Sequence, residues 1–108
     1  MTTFNDREKG FEAKFSHDQD LQFRVRMRRN KLAGLWAAEL LGLEGKAAQT
    51  YAKACCEADF EVPGDQDVID KIRGDLTAKG IDRSDHLIQA ELDRLMIVAK
   101  EEIAAEEG

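Results

Sequence analysis

The chain has one proline and two cysteines in 108 residues, and aromatic residues make up 6% of it. Valine and threonine are few as well. Sparse β-branched residues argue against strands, and sparse proline leaves long helices uninterrupted. The abundant residues, Ala, Leu, Glu, Lys and Arg, lose least on entering a helix. No apolar run approaches the ~20 residues that a membrane span needs, so no direct membrane insertion is expected. Charge begins at Asp6, which leaves no room for an apolar signal core. Cytoplasmic residence is the default expectation. There is no glycine-rich phosphate loop, no HExxH and no Ser–His pairing, so the sequence reads as a non-enzyme with no catalytic residues. Cys55 and Cys56 are neighbours and cannot easily bridge to each other. A zinc site needs about four ligands, and only His17 and His86 could join them. The expectation is small buried or half-buried thiols on a helix and no metal.

The net charge of −6 is unevenly spread. Residues 21–35 hold Arg24, Arg26, Arg28, Arg29 and Lys31 with no acid, a local +5. Residues 57–108 hold fifteen acids against six bases, a local −9. DNA would meet repulsion from most of such a molecule, so no nucleic-acid partner is expected.

The 43% hydrophobic content suffices for one modest core. Three-and-four spacing predicts four helices and an all-α, small four-helix bundle over residues 20–108 with a flexible N-terminal arm over residues 1–19. The first helix covers about 20–41, turns Leu21, Val25, Leu32, Leu35, Trp36 and Leu40 inward, and ends at Gly42. Its bases fall mainly on the other faces. A backward extension into the arm is left open, with Gly10 weakening it by ~1 kcal/mol relative to alanine. The second covers about 44–58, with Ala47, Ala48, Tyr51, Ala52 and Cys55 as its apolar stripe, small enough for close helix approach. Pro63 and Gly64 make a turn, and Asp65 is the expected N-cap of a third helix over about 66–79, with Val68, Ile69, Ile72 and Leu76 inward. Gly80 stops that helix. Ser84 caps a fourth that carries Leu87, Ile88, Leu92, Leu95, Met96, Ala99 and Ile103. Residues 104–108 are expected to fray. Glu101, Glu102, Glu106 and Glu107 read as a solvated terminal face.

Three of the five phenylalanines, Phe4, Phe11 and Phe15, lie in the first fifteen residues at helical spacing. Charged residues separate them, so this segment has a weak claim to be core. Either it folds back onto the bundle, or it orders on a target. On a partner, three buried Phe side chains give roughly 5–9 kcal/mol gross, against roughly 2–5 kcal/mol for ordering the segment. In that reading Phe4, Phe11 and Phe15 are anchors, while Arg7, Glu8, Lys9 and Lys14 set register through salt bridges and hydrogen bonds. The basic cluster has three readings. It is an exposed helix face paired with the bundle's own acids, a docking surface for an acidic protein, or a phosphate-binding strip.

The stretches "TFNDREKGFEAKF", "HD" and "RRNKLAGLWAAELLGL" resemble the ζ subunit of alphaproteobacterial F-type ATP synthases. "YAKACCEADFEVPGDQDVIDKIRGDL" and "KGIDRSDHLI" are similar to that family too. The resemblance covers nearly the whole chain. It implies a four-helix bundle that inhibits ATP hydrolysis by the F1 sector. It implies an inhibitory element at residues 2–18 that enters a catalytic α/β interface, reaches towards γ and blocks hydrolytic rotation. The partners it implies are the α, β and γ subunits of F1, with the protein peripheral to the inner membrane through them. The family is also connected with adenine nucleotides. No resident cofactor is expected, and Arg24, Arg28, Arg29 and Lys31 are the candidate residues for ATP or ADP as a regulatory ligand. Gly10 departs from the alanine of the family pattern, which raises the ordering cost of the arm.

Overall fold

Four helices stand among the described residues: α1 Thr2–Leu41, α2 Gly45–Ala58, α3 Gln66–Ala78 and α4 Asp85–Glu107. The computed structural model describes the backbone of residues 2–59 and 64–107 and the side chains of residues 19–59 and 64–106. No strand occurs among them. The all-α bundle is as the periodicity predicts. α1 also takes in the backbone of the N-terminal stretch, the extension that the sequence leaves open.

Local chemistry sets the helix ends. Gly42 sits at φ 80°, a left-handed conformation that glycine adopts at no steric cost. The turn there lets Leu43 N–H donate to Ala38 O at 2.8 Å, closing the end of α1. Gly80, at φ 79°, repeats the device, with Ile81 N–H donating to Leu76 O at 2.9 Å. Ser84 Oγ accepts the Leu87 N–H at 3.2 Å, the expected cap of α4. Asp65 departs from expectation. It occupies the N-cap position of α3, but its carboxylate makes no capping bond. Stronger donors, described below, hold it instead.

α1 packs against all three other helices, and α3 touches both α2 and α4. The core is built from Val68, Ile69, Ile72 and Leu76 of α3 and Ile88, Leu92 and Leu95 of α4, all buried. Each such side chain contributes about 1.5–3 kcal/mol on burial. Ala33, Ala37 and Cys55 complete this cluster, and Leu32, Trp36, Leu40 and Tyr51 pack half-buried around it. Val25, Ala99 and Ile103 form a smaller one with Leu21 and Met96.

Several expectations need correction. The deepest face of α1 is not its large apolar set. Ala33, Ala37, Ala38, Arg29 and Asn30 are buried there, so one of the bases lies inside. Small residues bring the α1 backbone so near its neighbours that Leu35, Trp36 and Leu40 pack at the sides. Leu87 is 55% exposed, one position off the buried stripe that begins at Ile88, and Ala47 is exposed on α2. At the chain end, α4 keeps helical backbone as far as Glu107.

The closest approach is between α1 and α2. A Cβ placed on Gly34 would lie 2.5 Å from Ala52 Cα, which is backbone and cannot step aside. Overpacking of this kind costs about 1–3 kcal/mol, offset by ~1 kcal/mol of helix propensity. Gly34→Ala is therefore expected to lower stability by up to about 2 kcal/mol in chemical denaturation. Ala52→Gly should fail to rescue it, since the clash is with Cα.

Candidate functional site

The basic segment of α1 faces two different sets of acids. On one side, the Arg26 guanidinium forks onto Asp59. Its Nε donates to Oδ2, and Nη2 donates to Oδ1 at 2.8 Å. Nη2 also donates to Gly64 O at 2.9 Å. Arg29, 2% exposed, donates from Nη1 to Asp65 Oδ1 at 2.9 Å. Its Nε and Nη2 donate to Asn30 Oδ1 at 3.0 and 2.7 Å. Asn30, fully buried, passes the chain on, its Nδ2 donating to Asp59 Oδ2 at 3.0 Å. Gln89 Nε2 of α4 donates to Asp65 Oδ2 at 2.9 Å. One hydrogen-bonded group therefore joins α1, the end of α2, the start of α3 and α4. Buried charge costs free energy unless it is paired and hydrogen-bonded, and here each member has a partner.

The electrostatics follow from these contacts. Burial pulls the Asp59 carboxyl upward, but hydrogen bonds from Arg26 and Asn30 and the charges of Arg26 and Arg29 outweigh it, so it titrates below the usual carboxylate range. Burial opposes ionisation of Asp65 too, and hydrogen bonds from Gln89 and Arg29 with the charges of Arg29 and Arg26 bring it down. A carboxyl lowered in the fold binds its proton more readily when unfolded. Its stabilisation is complete above the unfolded value, about 3.9, and disappears as pH falls through the lower folded value. Thermal unfolding should therefore move to lower temperature as pH drops from about 5 to about 2. Asp65→Asn should flatten that dependence, and an unchanged slope would contradict the assignment.

On the other side, Arg28 reaches the last turns of α4. Nη1 donates to Glu102 Oε1 at 2.8 Å, and Nη2 to Glu106 Oε1 and Oε2 at 2.8 and 2.9 Å. Glu102 and Glu106 are thus not merely a solvated face. These groups are part-exposed, so the pair is worth about 0–1 kcal/mol. Its structural effect is to tie the end of α4 to α1. For three of the five clustered bases, pairing with the bundle's own acids is what the structure shows.

The sequence-derived site residues are distributed as follows. Arg24 and Lys31 are exposed on α1 and line a shallow groove of about 400 Å³ together with Phe23, Met27, Arg28 and Ile103. Arg29 does not share that groove and lies in the interior. The side chains of Phe4, Arg7, Glu8, Lys9, Phe11, Lys14 and Phe15 lie outside the described residues, as does that of His17. His86 is exposed. Among the described residues, no group of three or more His, Cys, Asp or Glu side chains is placed to hold a metal ion. No described helix is long and apolar enough to cross a membrane.

Sequence reasoning missed Asn30 and Gly34. The signal was the run of small residues at Ala33, Gly34, Ala37 and Ala38, whose four-residue spacing marks a close helix contact. The thiols are as expected. Cys55 is buried and Cys56 half-buried, and both are free. Burial pushes the Cys55 thiol up to about 11, so it is protonated and a poor nucleophile at neutral pH. Beside it, Tyr51 Oη donates to Asp75 Oδ2 at 2.7 Å, and Lys71 Nζ lies 5.0 Å from the ring centre. Burial, then the Asp75 contact, raises the Tyr51 hydroxyl, which remains a neutral donor. This polar cluster fastens α2 to α3.

A family model described as ATPase inhibitor subunit zeta matches residues 1–102. A solution NMR structure of a protein 44% identical to this chain superimposes with a TM-score of 0.71, covering 80% of this chain and 98% of that one. No curated protein matches.

Proposed function

The chain belongs to the ATPase inhibitor subunit zeta family, and we propose that it inhibits ATP hydrolysis by the F1 sector of ATP synthase, acting as a regulator rather than an enzyme. Residues 2–18 are the inhibitory arm of a 1–19 segment, and residues 20–108 are the body that presents it. The arm enters a catalytic α/β interface, reaches towards γ and blocks hydrolytic rotation. Phe4, Phe11 and Phe15 anchor it in apolar pockets, and Arg7, Glu8, Lys9 and Lys14 fix its register. The protein resides in the cytoplasm, peripheral to the inner membrane through F1.

The observation that carries this reading is the span of the family match, which starts at residue 1 and includes the whole N-terminal stretch. The bundle supports it from the other side. Among the described residues its buried clusters draw on Leu21 and later positions, and Arg26, Arg28 and Arg29 are used in holding its own helices together. Purified F1 titrated with the full chain tests the proposal. Hydrolysis should fall with increasing chain, while synthesis by the membrane-bound enzyme is far less impeded. Undiminished hydrolysis at saturating chain would overturn it.

The second reading, a nucleotide-responsive bundle, draws on Arg24, Arg28 and Lys31 around one groove. It places ATP or ADP there at the expense of the Arg28 contacts to Glu102 and Glu106. Arg29 contributes only through the fold, since reaching a phosphate would break its buried bonds. Amide shifts on adding ATP or ADP, centred on residues 24–31, are what this reading expects.

A further inference from the structure

The proposed inhibitory stretch and the body share one helix, α1. Residues 11–33 contain neither glycine nor proline, the residues at which helices most often kink, so no hinge residue separates the two. The body grips α1 close to the root of the arm. Val25 is buried. The Arg26 guanidinium is held by Asp59 at the end of α2 and by Gly64 O, the latter at 2.9 Å, just before α3. The Arg28 guanidinium is held by Glu102 and Glu106 of α4, each at 2.8 Å. Positions 26 and 28 stand about 200° apart round a helix of 3.6 residues per turn. The two forks therefore hold α1 from nearly opposite sides, and with the Arg29–Asp65 bond they oppose rotation of the helix about its own axis.

We propose that Arg26, Arg28 and their carboxylate partners form a collar that sets the angle at which the inhibitory arm meets F1. The inference rests on the inhibitor function above and adds positioning residues in the body to it. Angle matters because the arm is one-sided. Positions 4, 11 and 15 of α1 fall within about 40° of one another. Positions 11 and 15 also precede 29 and 33 by eighteen residues, about five full turns. Arg29 and Ala33 are buried against the other helices, so the aromatic positions of the arm continue the bundle-facing side of α1. A partner surface that receives them lies on that side of the helix axis. An arm on a freely swivelling joint must find this orientation at each encounter. A collared helix arrives with it set, which lowers the entropic cost of docking. The Arg28 fork is part-exposed and adds little to stability; its effect is on direction.

The test inserts alanines between Gln19 and Asp20 of the full chain. Both residues are exposed and precede Leu21, where the smaller cluster starts among the described residues. Two alanines rotate the arm by about 200° and advance it by about 3 Å, while four rotate it by about 40° and advance it by about 6 Å. The half-inhibitory concentration for hydrolysis by purified F1 is expected to rise about a hundredfold with two and less than about tenfold with four, although four displace the arm further. Arg28→Gln placed in both insertion variants should narrow the gap between them several-fold, with little change in melting temperature. If two alanines are tolerated as well as four, or better, the angle does not matter, and the collar is wrong while the inhibitor function stands. A gap that Arg28→Gln leaves unchanged would show that other contacts set the angle and would overturn the collar as well. An insertion that unfolds the bundle, seen by circular dichroism, would make the arm part of the body and count against the proposal. If the parent chain does not inhibit at all, the function itself is wrong.

Discussion

Deleting residues 2–18 is expected to abolish inhibition of ATP hydrolysis and to leave the bundle folded. The energetics favour a large effect. Three phenylalanine side chains buried on a partner are worth roughly 5–9 kcal/mol gross, and ordering the segment takes roughly 2–5 kcal/mol of that. The middle of the remaining range, about 3.5 kcal/mol, corresponds to a few hundredfold in affinity. The bundle has little to lose. Among the described residues its larger cluster joins Ala33 and Ala37 to α2, α3 and α4, and its smaller one links Leu21 and Val25 to Ala99 and Ile103. Circular dichroism should show the melting transition nearly unmoved, with helical signal reduced only by the deleted length. Full inhibition by the shortened chain would refute the assignment of the arm. A shortened chain that does not fold would show that residues 2–18 belong to the body.

Replacing Asp59 by alanine should produce the largest loss of stability of any single carboxylate change. Its side chain is 2% exposed and receives bonds from both Arg26 and Asn30. Removing one partner of a buried ion pair costs about 3–5 kcal/mol, because the other is left uncompensated. Arg26 is 34% exposed and can recover water, which places the expected loss near the lower end, about 3 kcal/mol. Asn30 has no such recourse, being fully buried. For a domain of this size that corresponds to a fall in melting temperature on the order of 15 °C. Asp59→Asn keeps an acceptor and gives up the charge, so it should fall between the two. A loss under about 1 kcal/mol for Asp59→Ala would mean that the network adds little to the stability of the fold.

Helix identity was legible because the apolar spacing of α3 and α4 agrees with the glycine stops at Gly42 and Gly80 and the cap at Ser84. Local preference and burial pointed the same way there, which is the condition under which sequence patterns are reliable. The interior of α1 was not legible. Hydrophobic periodicity ranks Leu35 and Leu40 above Arg29 and Asn30, yet the arginine and asparagine are the buried ones. What reverses the ranking is Asp59 and Asp65, about thirty residues downstream, and no local pattern records that pairing. Asp65 illustrates the same limit. Its position is that of a helix cap, but two guanidinium groups and an amide compete for its oxygens more strongly than a backbone N–H does. Of the candidate residues, Arg24, Arg28 and Lys31 share one groove, while Arg29 is sequestered by bonds that only the folded chain reveals.

α1 is forty residues long and rests on each of the other three helices, most extensively on α2 and α4. Tension applied at its amino end would act along a line parallel to a broad lateral seam, not at the corner of a hairpin. The seam then resists in shear, with the fork on Asp59 and the tie from Arg28 to Glu106 strained together. Under mechanical load, such as a turning shaft would impose, the molecule should yield in one abrupt step at high force instead of unzipping helix by helix.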